Sequence, residues 1–324
     1  MRLLLAGDGE WAAACLQPLI QAGHELAAVS LRNHPSDKSL ELTARALNLP
    51  ILRPENINAE SYIDEIKSMK IDLGVSIACD QIMRRPLLDT AKRGFINFHA
   101  GKLPSYRGRN IINWAIINGE SEIGVTAHVV NEGIDTGDIV LQRTLPVGWT
   151  DTYGDVLKRI VDAFPNIVVE AVSLLDDDGF LATPQRGMGT YFCGREDGDE
   201  WIEWSDTSLD LHNKIRGISR PGPGARTLLD NQTVTIWHAS YDPAWPKYRA
   251  TPGQVVGRNQ NGVIVKTGDS TIELNEVQIA DGPCEKPKWK IGTRLGIDLY
   301  RLATSLSKRI TELEQKLTSG DSHV

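Results

Sequence analysis

A chain of 324 residues with 41% hydrophobic content is long enough for two packed domains. A formal charge of −7 and a pI near 5.6 argue against a broad cationic face for nucleic acid, although a local basic patch remains compatible with phosphate or RNA. The four cysteines, Cys15, Cys79, Cys193 and Cys284, are scattered without a CxxC pair, which argues against a disulfide framework, and no Cys/His cluster has the spacing of a zinc site.

Arg2 to Ala6 reads as a buried strand. The apolar start is too short for a signal peptide and no apolar run reaches membrane length, so a cytoplasmic protein without a membrane partner is expected. Gly7-Asp8-Gly9-Glu10-Trp11-Ala12 fits GxGxxA, and helical spacing follows from Trp11 to Ala22. A dehydrogenase would carry an acidic residue after the next strand, Glu25 to Leu31, to hold a ribose hydroxyl; here Leu31-Arg32-Asn33 follows. The glycines more simply permit a tight strand-to-helix turn. Ser39 to Leu47 and Ala59 to Met69 have helical periodicity, Pro50 to Leu52 is a short strand, and Leu73 to Ala78 is an apolar strand of the kind covered on both faces.

From Gly94 to Asp138 an apolar strand runs into a loop rich in Gly, Pro and Arg, followed by a helix, Ile111 to Ile117, and a strand, Ile123 to Val130. Asn97 and His99 lie two residues apart, so on a strand they project to the same face while Phe98 faces the other way. A polar turn, Asn131 to Asp138, supplies Asp135. An Asn, a His and an Asp brought together have the parts for acyl-type transfer: an oxyanion donor, a general acid or base, and a carboxylate to orient the imidazole. Taken singly each residue has a plainer reading, a capped His, a turn Asn or a turn Asp. Lys102, Arg107 and Arg109 form a basic loop beside them, either a solvated charge cluster or a phosphate clamp.

Ile139 to Val147 is a strand and Tyr153 to Leu175 is helical in pattern, with a kink or break expected at Pro165. Strands and helices alternate to about Asp176, which predicts an α/β fold, a Rossmann-like mostly parallel sheet with helices on both faces. Pro184, Gly187, Gly189 and Gly194 mark a linker or docking segment. Beyond Trp201 the composition shifts to short strands, Thr233 to His238, Gly253 to Arg258, Gly262 to Lys266 and Thr271 to Glu276, as in a small β-barrel. Leu295, Leu299, Leu302, Leu306, Ile310, Leu313 and Leu317 recur at spacings of three and four, predicting an amphipathic helix packed on that domain or on a second subunit. The expected division is 1–200, 201–290 and a terminal helix and tail, 291–324.

Asn97-Phe98-His99, Leu103-Pro104-Ser105-Tyr106-Arg107-Gly108, Gly124-Val125-Thr126 and Asp135-Thr136-Gly137-Asp138 together resemble the signature of formyltransferases that use 10-formyltetrahydrofolate. The run His99 to Asn110, with Asn113-Trp114, is most similar to the branch acting on nucleotide-linked amino sugars, which serves lipopolysaccharide or O-antigen biosynthesis. The resemblance implies Asn97, His99 and Asp135 as the catalytic group, with no metal and no covalent enzyme intermediate. It places the folate against the backbone of Gln81, Ile82 and Met83 and against Asn131, Glu132, Gly133 and Ile134. It places the sugar phosphates near Lys102, Arg107 and above all Arg109. It also implies an OB-like carboxyl-terminal domain and leaves open a homodimer through that region. The alternatives within the family are methionyl-tRNA formyltransferase and a formyl-folate hydrolase.

Overall fold

The computed structural model describes residues 1–296 and 299–320, the side chains of 299–302 and 318–320 excepted. It divides into two compact units, Met1–Asp199 with Arg216–Gly222, and Glu200–Ile215 with the chain from Pro223 onward.

In the first unit β1 (Arg2–Gly7), α1 (Gly9–Gln21), β2 (Glu25–Leu31), α2 (Ser39–Ala46), β3 (Ile51–Leu52), α3 (Glu60–Met69), β4 (Leu73–Ile77), α4 (Arg85–Leu88) and β5 (Phe95–His99) alternate as the periodicity predicts. After them come β6 (Arg107–Gly108), α5 (Ile111–Ile117), β7 (Glu122–Val129), β8 (Ile139–Pro146), α6 (Tyr153–Leu174) and β9 (Tyr191–Phe192). One seven-stranded sheet has the order β3-β2-β1-β4-β5-β7-β8. It is parallel from β3 to β5, and β7 and β8 add antiparallel. The short β6 and β9 pair separately.

Alternation along the strands sorts the two faces. Leu3, Leu5, Val75, Ile77, Ile96 and Phe98 pack on one side with Leu16 and Leu19 of α1 and Ile160, Phe164 and Val168 of α6. Leu4, Ala6 and Phe95 pack on the other with Ile63 and Ile66 of α3 and Leu87 and Leu88 of α4. Asn97 and His99 share the face of Phe95, whereas Phe98 turns to α6, 5.9 Å from the Phe164 ring.

α6 runs unbroken through Pro165, where a kink or break was expected. Pro165 removes one backbone donor, a cost of about 3 kcal/mol in a helix interior. Four flanking side chains, Ile160, Phe164, Val168 and Val172, are fully buried, each worth about 1.5–3 kcal/mol, and together they outweigh it. A capping box closes the start of the helix: Asp155 donates its N–H to the Thr152 hydroxyl, and the Thr152 N–H donates to the Asp155 carboxylate at 2.9 Å.

The second unit carries most of α7 (Ser208–Gly217), then β10 (Ala225–Leu229), β11 (Gln232–Ser240), β12 (Val255–Asn259), β13 (Gly262–Lys266), β14 (Thr271–Ile279) and β15 (Cys284–Glu285). They form an antiparallel sheet in the order β10-β11-β14-β13-β12, with β15 on β14. The composition pointed to four of these strands; β10 and the two-residue β15 went unread. Its hairpin with β11 turns on Asp230 and Asn231, both at positive φ, the backbone that a two-residue primed turn requires. The terminal helix α8 (Leu299–Gly320) forms as the spacing predicts. Leu295 is buried and lies ahead of it, whereas every residue from 303 to 317 is exposed, so among the described residues the apolar stripe does not pack on the domain.

Candidate active site

β5 carries the amide and the imidazole. Ser76 on the neighbouring β4 stands opposite Asn97 in the parallel register and donates its hydroxyl to Asn97 Oδ1 at 2.9 Å. On the other side His128 of β7 stands opposite Asn97 in the antiparallel register. The His128 Nδ1–H donates to the Val129 carbonyl at 2.9 Å, which leaves Nε2 to accept from Asn97 Nδ2 at 3.2 Å. The amide is thus held by both ends, with one N–H of Nδ2 uncommitted among the described residues.

His99 is 8% exposed. Its Nε2–H donates to the Tyr106 carbonyl at 2.6 Å, since only a ring N–H can face a carbonyl oxygen, and the lone pair falls on Nδ1. Asp135 reaches between the two rings. Its Oδ2 lies 3.6 Å from His99 Nδ1 and its Oδ1 lies 3.4 Å from His128 Nε2, while the Gly108 N–H donates to Oδ2 at 2.9 Å. Each imidazole already donates from one nitrogen to a backbone carbonyl. The next proton either ring takes therefore lands on the nitrogen facing the Asp135 carboxylate.

Burial pushes the His99 pKa below its ordinary value, against the pull of the Asp135 charge and the Tyr106 carbonyl. At neutral pH the ring is a neutral base. Burial acts to raise the Asp135 carboxyl, but the neighbouring His128 and His99 rings and the Gly108 N–H outweigh it and hold the group below its ordinary range.

The loop after β5 is held close. A Cβ at Gly101 would sit 2.5 Å from both His99 Nε2 and the Tyr106 carbonyl, so only glycine lets the chain pass beneath the ring. Thr126 donates to the Gly101 carbonyl at 2.7 Å and Gln142 to the Leu103 carbonyl at 3.0 Å. The Pro/Gly-rich segment before β9 docks on the same loop. Arg107 and Arg109 donate their backbone N–H groups to Thr190 and Phe192 at 2.9 Å, and the Tyr106 and Phe192 rings stack at 4.9 Å. Gln185 donates to the Asp135 and Gly137 carbonyls at 2.9 and 2.7 Å while accepting from Arg107 Nη2 at 2.6 Å. One side chain so ties the Asp135 turn to the His99 loop.

Of the three cations in that loop, Arg107 donates from Nη2 to Gln185 and from Nη1 to Tyr191, 3.1 Å away, while its buried Nε has no partner among the described residues, and Lys102 pairs with Glu122. Arg109 is exposed, and among the described residues its guanidinium has no ion-pair partner. The loop after β4 is tied to the segment before α3. Gln81 accepts from Ile57 N at 3.0 Å and donates to the Glu55 carbonyl at 3.1 Å, and the Ile82 carbonyl accepts from Asn58 at 2.9 Å. Met83 is buried and Ile82 is 64% exposed. Asn131 closes its own turn, accepting from Gly133 N at 3.1 Å and from the Thr136 hydroxyl at 2.7 Å; Glu132 and Gly133 are exposed, and Ile134 is 55% exposed.

Where the strand order reverses, between β1 and β4, a cavity of about 530 Å³ opens at the carboxyl ends of the strands, the usual ligand crevice of such sheets. Asp8, Glu10, Asp37 and Asp162 line it with Arg32 and Lys158. Asp8 accepts from Ser36 N at 2.8 Å and lies 3.3 Å from the Arg32 guanidinium.

The sequence reading overlooked Ser76, His128 and Gln185. For His128 a signal exists: Thr126 and His128 alternate as polar residues in an otherwise apolar strand, so both face one side. Nothing local singles out Gln185, whose partners lie about fifty and eighty residues away in the chain.

An imidazole, an oriented amide and a largely buried carboxylate are thus brought together beside the end of β5 in a doubly wound sheet. Residues 1–172 match the formyl transferase family and residues 196–289 match the formyl transferase carboxyl-terminal domain; the chain belongs to the formyl transferases, enzymes that move a formyl group. Methionyl-tRNA formyltransferase of Pelotomaculum thermopropionicum is 33% identical over 287 residues, covering 86% of this chain and 91% of that protein. The enzyme of the same name from Desulforamulus reducens is 32% identical over 288 residues, 86% and 90% of the two chains. Among solved structures the sugar 3N-formyltransferase WlaRD, crystallised with dTDP and 5-N-formyl-THF, superposes with a TM-score of 0.68 at 22% identity, covering 85% of this chain and 97% of that one. An N-formyltransferase from Helicobacter canadensis, in complex with folinic acid and dTDP-3-aminofucose, gives 0.67 at 20% identity, covering 84% and 98%. These two likenesses concern the fold.

Proposed function

We propose that the protein transfers the formyl group of 10-formyltetrahydrofolate to the primary amine of a nucleotide-linked amino sugar. The carrying observation is an available cation beside the candidate catalytic group. Gly108 donates its N–H to Asp135, and the next residue, Arg109, is exposed with no ion-pair partner among the described residues, whereas Lys102 pairs with Glu122 and Arg107 bonds Gln185 and Tyr191. The Arg109 guanidinium supplies a planar fork for a diphosphate.

In this reading the folate ring lies against the backbone of residues 81–83 and 131–134, with the exposed Ile82 and Ile134 offering apolar cover. The acceptor nitrogen attacks the formyl carbon and a tetrahedral intermediate forms. The free N–H of Asn97 stabilises its oxyanion, a contribution of about 10²–10³ in rate at comparable sites. Neutral His99 takes the proton that the amine loses, and the imidazolium is held by Asp135. As the bond from carbon to N10 breaks, the same proton passes to the leaving nitrogen, so the acid and base roles balance without a covalent enzyme intermediate.

A second reading, formylation of initiator methionyl-tRNA, is favoured by a different observation: the sequence relatives named above bear that name at 32–33% identity. By sequence similarity alone it has the stronger support. The deciding experiment incubates the protein and 10-formyltetrahydrofolate with a panel of nucleotide amino sugars and, separately, with charged initiator tRNA, and weighs the products. A gain of one formyl group on a nucleotide sugar is expected. Formylation of the tRNA alone replaces the substrate class and leaves the catalytic assignment standing; formate release without any acceptor indicates a hydrolase.

A further inference from the structure

α8 lies beyond the last residue matched to the family, and nothing described covers its apolar stripe. Leu306, Ile310, Leu313 and Leu317 are 54%, 56%, 46% and 74% exposed. A helix in water gains little from propensity alone; packing of an amphipathic face is what usually holds one in place. The spacing identifies what would cover this face. Ala303, Ile310 and Leu317 repeat every seven residues, and so do Leu299, Leu306 and Leu313, offset by three. These are the a and d positions of a heptad, with a β-branched residue at the central a and leucine throughout d, the combination that favours two parallel strands.

We propose that two copies of this chain pair through α8 as a parallel two-stranded coiled coil. The flanking charges support both the occupant and the direction. Arg309 and Lys316 fall at g and Glu314 falls at e. In a parallel pair a g residue faces the e residue five positions further along the other strand, so Arg309 meets Glu314 of the partner subunit, twice by symmetry. An antiparallel pair would bring the g cations Arg309 and Lys316 against one another. Within one chain Arg309 already lies 3.2 Å from Glu312, an exposed pair of the weak kind that an interchain partner can replace. The outer b, c and f positions, Thr304, Ser305, Lys308, Thr311, Glu312 and Gln315, are polar, as is Ser307 at the other e position.

The test measures molar mass of the full chain by light scattering and sedimentation across concentration. The parent protein should be a dimer at about 100 μM, a concentration at which even a micromolar dissociation constant gives nearly complete pairing. The double variant Ile310→Asp, Leu313→Asp should be monomeric, its affinity for itself lowered at least a hundredfold, with formyl transfer and the main melting transition unchanged. Direction is read from the charges. Arg309→Glu alone and Glu314→Arg alone should each weaken the dimer about tenfold, and the two together should restore it. A monomeric parent at that concentration overturns the proposal, as does a dimer that survives the double aspartate variant. Failure of the charge swap to restore pairing overturns the parallel arrangement.

Discussion

The proposed chemistry rests on how few atoms around His99 are left uncommitted. Nε2 is spent on the Tyr106 carbonyl, and Nδ1 faces the Asp135 carboxylate, with both side chains largely buried. His99→Ala should lower turnover by about 10³ or more, the range of a lost acid–base group. Circular dichroism should stay native in this variant; near-normal turnover would sink the mechanism. The depressed His99 pKa also sets a pH profile. Activity needs the neutral ring, so the rate should fall on an acidic limb whose midpoint lies below the ordinary value of 6.5. Asp135 pulls that pKa up, so Asp135→Asn should move the limb to still lower pH as well as slow the reaction. A limb that stays put or rises in this variant would count against the pairing. The linkage to stability has the same sign. The folded pKa is below the unfolded one, so the contribution of His99 is intact above pH 6.5 and is lost as pH falls through the folded value. Arg109 tests the substrate. Arg109→Ala should weaken nucleotide-sugar use ten- to hundredfold, the worth of about 1.5–3 kcal/mol for a charge-assisted contact. Folate affinity should be spared, and Arg109→Lys should recover only part because an ammonium lacks the planar fork. Lower folate affinity with unchanged sugar use would move Arg109 to the folate side.

At the level of elements, the site is assembled by β5 between β4 and β7, and by the pairing of β6 with β9. The strands orient Asn97 through Ser76 and His128, while the β9 segment holds the loop that supplies the Tyr106 carbonyl. Gln185 joins that loop to the Asp135 turn with three hydrogen bonds. Gln185→Leu keeps the size of the side chain and removes all three. It should lower kcat about tenfold, since misplacing a group by an ångström costs on this order or more, and loosen Asp135. Faster amide exchange at Gly108 and Gly137 would report the loosened turn; unchanged exchange with unchanged kcat would show that the strands alone hold it.

For the molecule as a whole, the two units match separate families of domain, and the terminal helix adds a surface that neither uses. Leu295 is 3% exposed and donates its N–H to the Gly253 carbonyl at 2.8 Å, so a truncation that keeps the second unit intact must end after it. Removing residues 299–324 should leave the melting temperature and formyl transfer within error of the parent, because residues 303–317 of the helix are exposed. A fall of several degrees would mean that α8 packs on its own chain in solution.

The alternating elements of the first unit and the strands β11 to β14 were legible because one-sided burial writes a period of 2 or 3.6 into the residues themselves. Asn97, His99 and Asp135 were legible because their motifs are contiguous and Asn97 and His99 share a strand face by simple alternation. The heptad of α8 is likewise a property of spacing alone. Other features arose only when the chain folded. Pro165 remains inside α6 because buried neighbours distributed along that helix outweigh one lost hydrogen bond. The same loop sequence holds Lys102, Arg107 and Arg109, yet tertiary partners, Glu122, Gln185 and Tyr191, bind the first two and leave the third without an ion-pair partner among the described residues. Ser76, His128 and Gln185 acquire their roles from strand register and from contacts across as many as eighty residues. The amide's orientation and the base's free nitrogen depend on these contacts, because a hydrogen bond is set by where its partner stands in space and not by its distance along the chain.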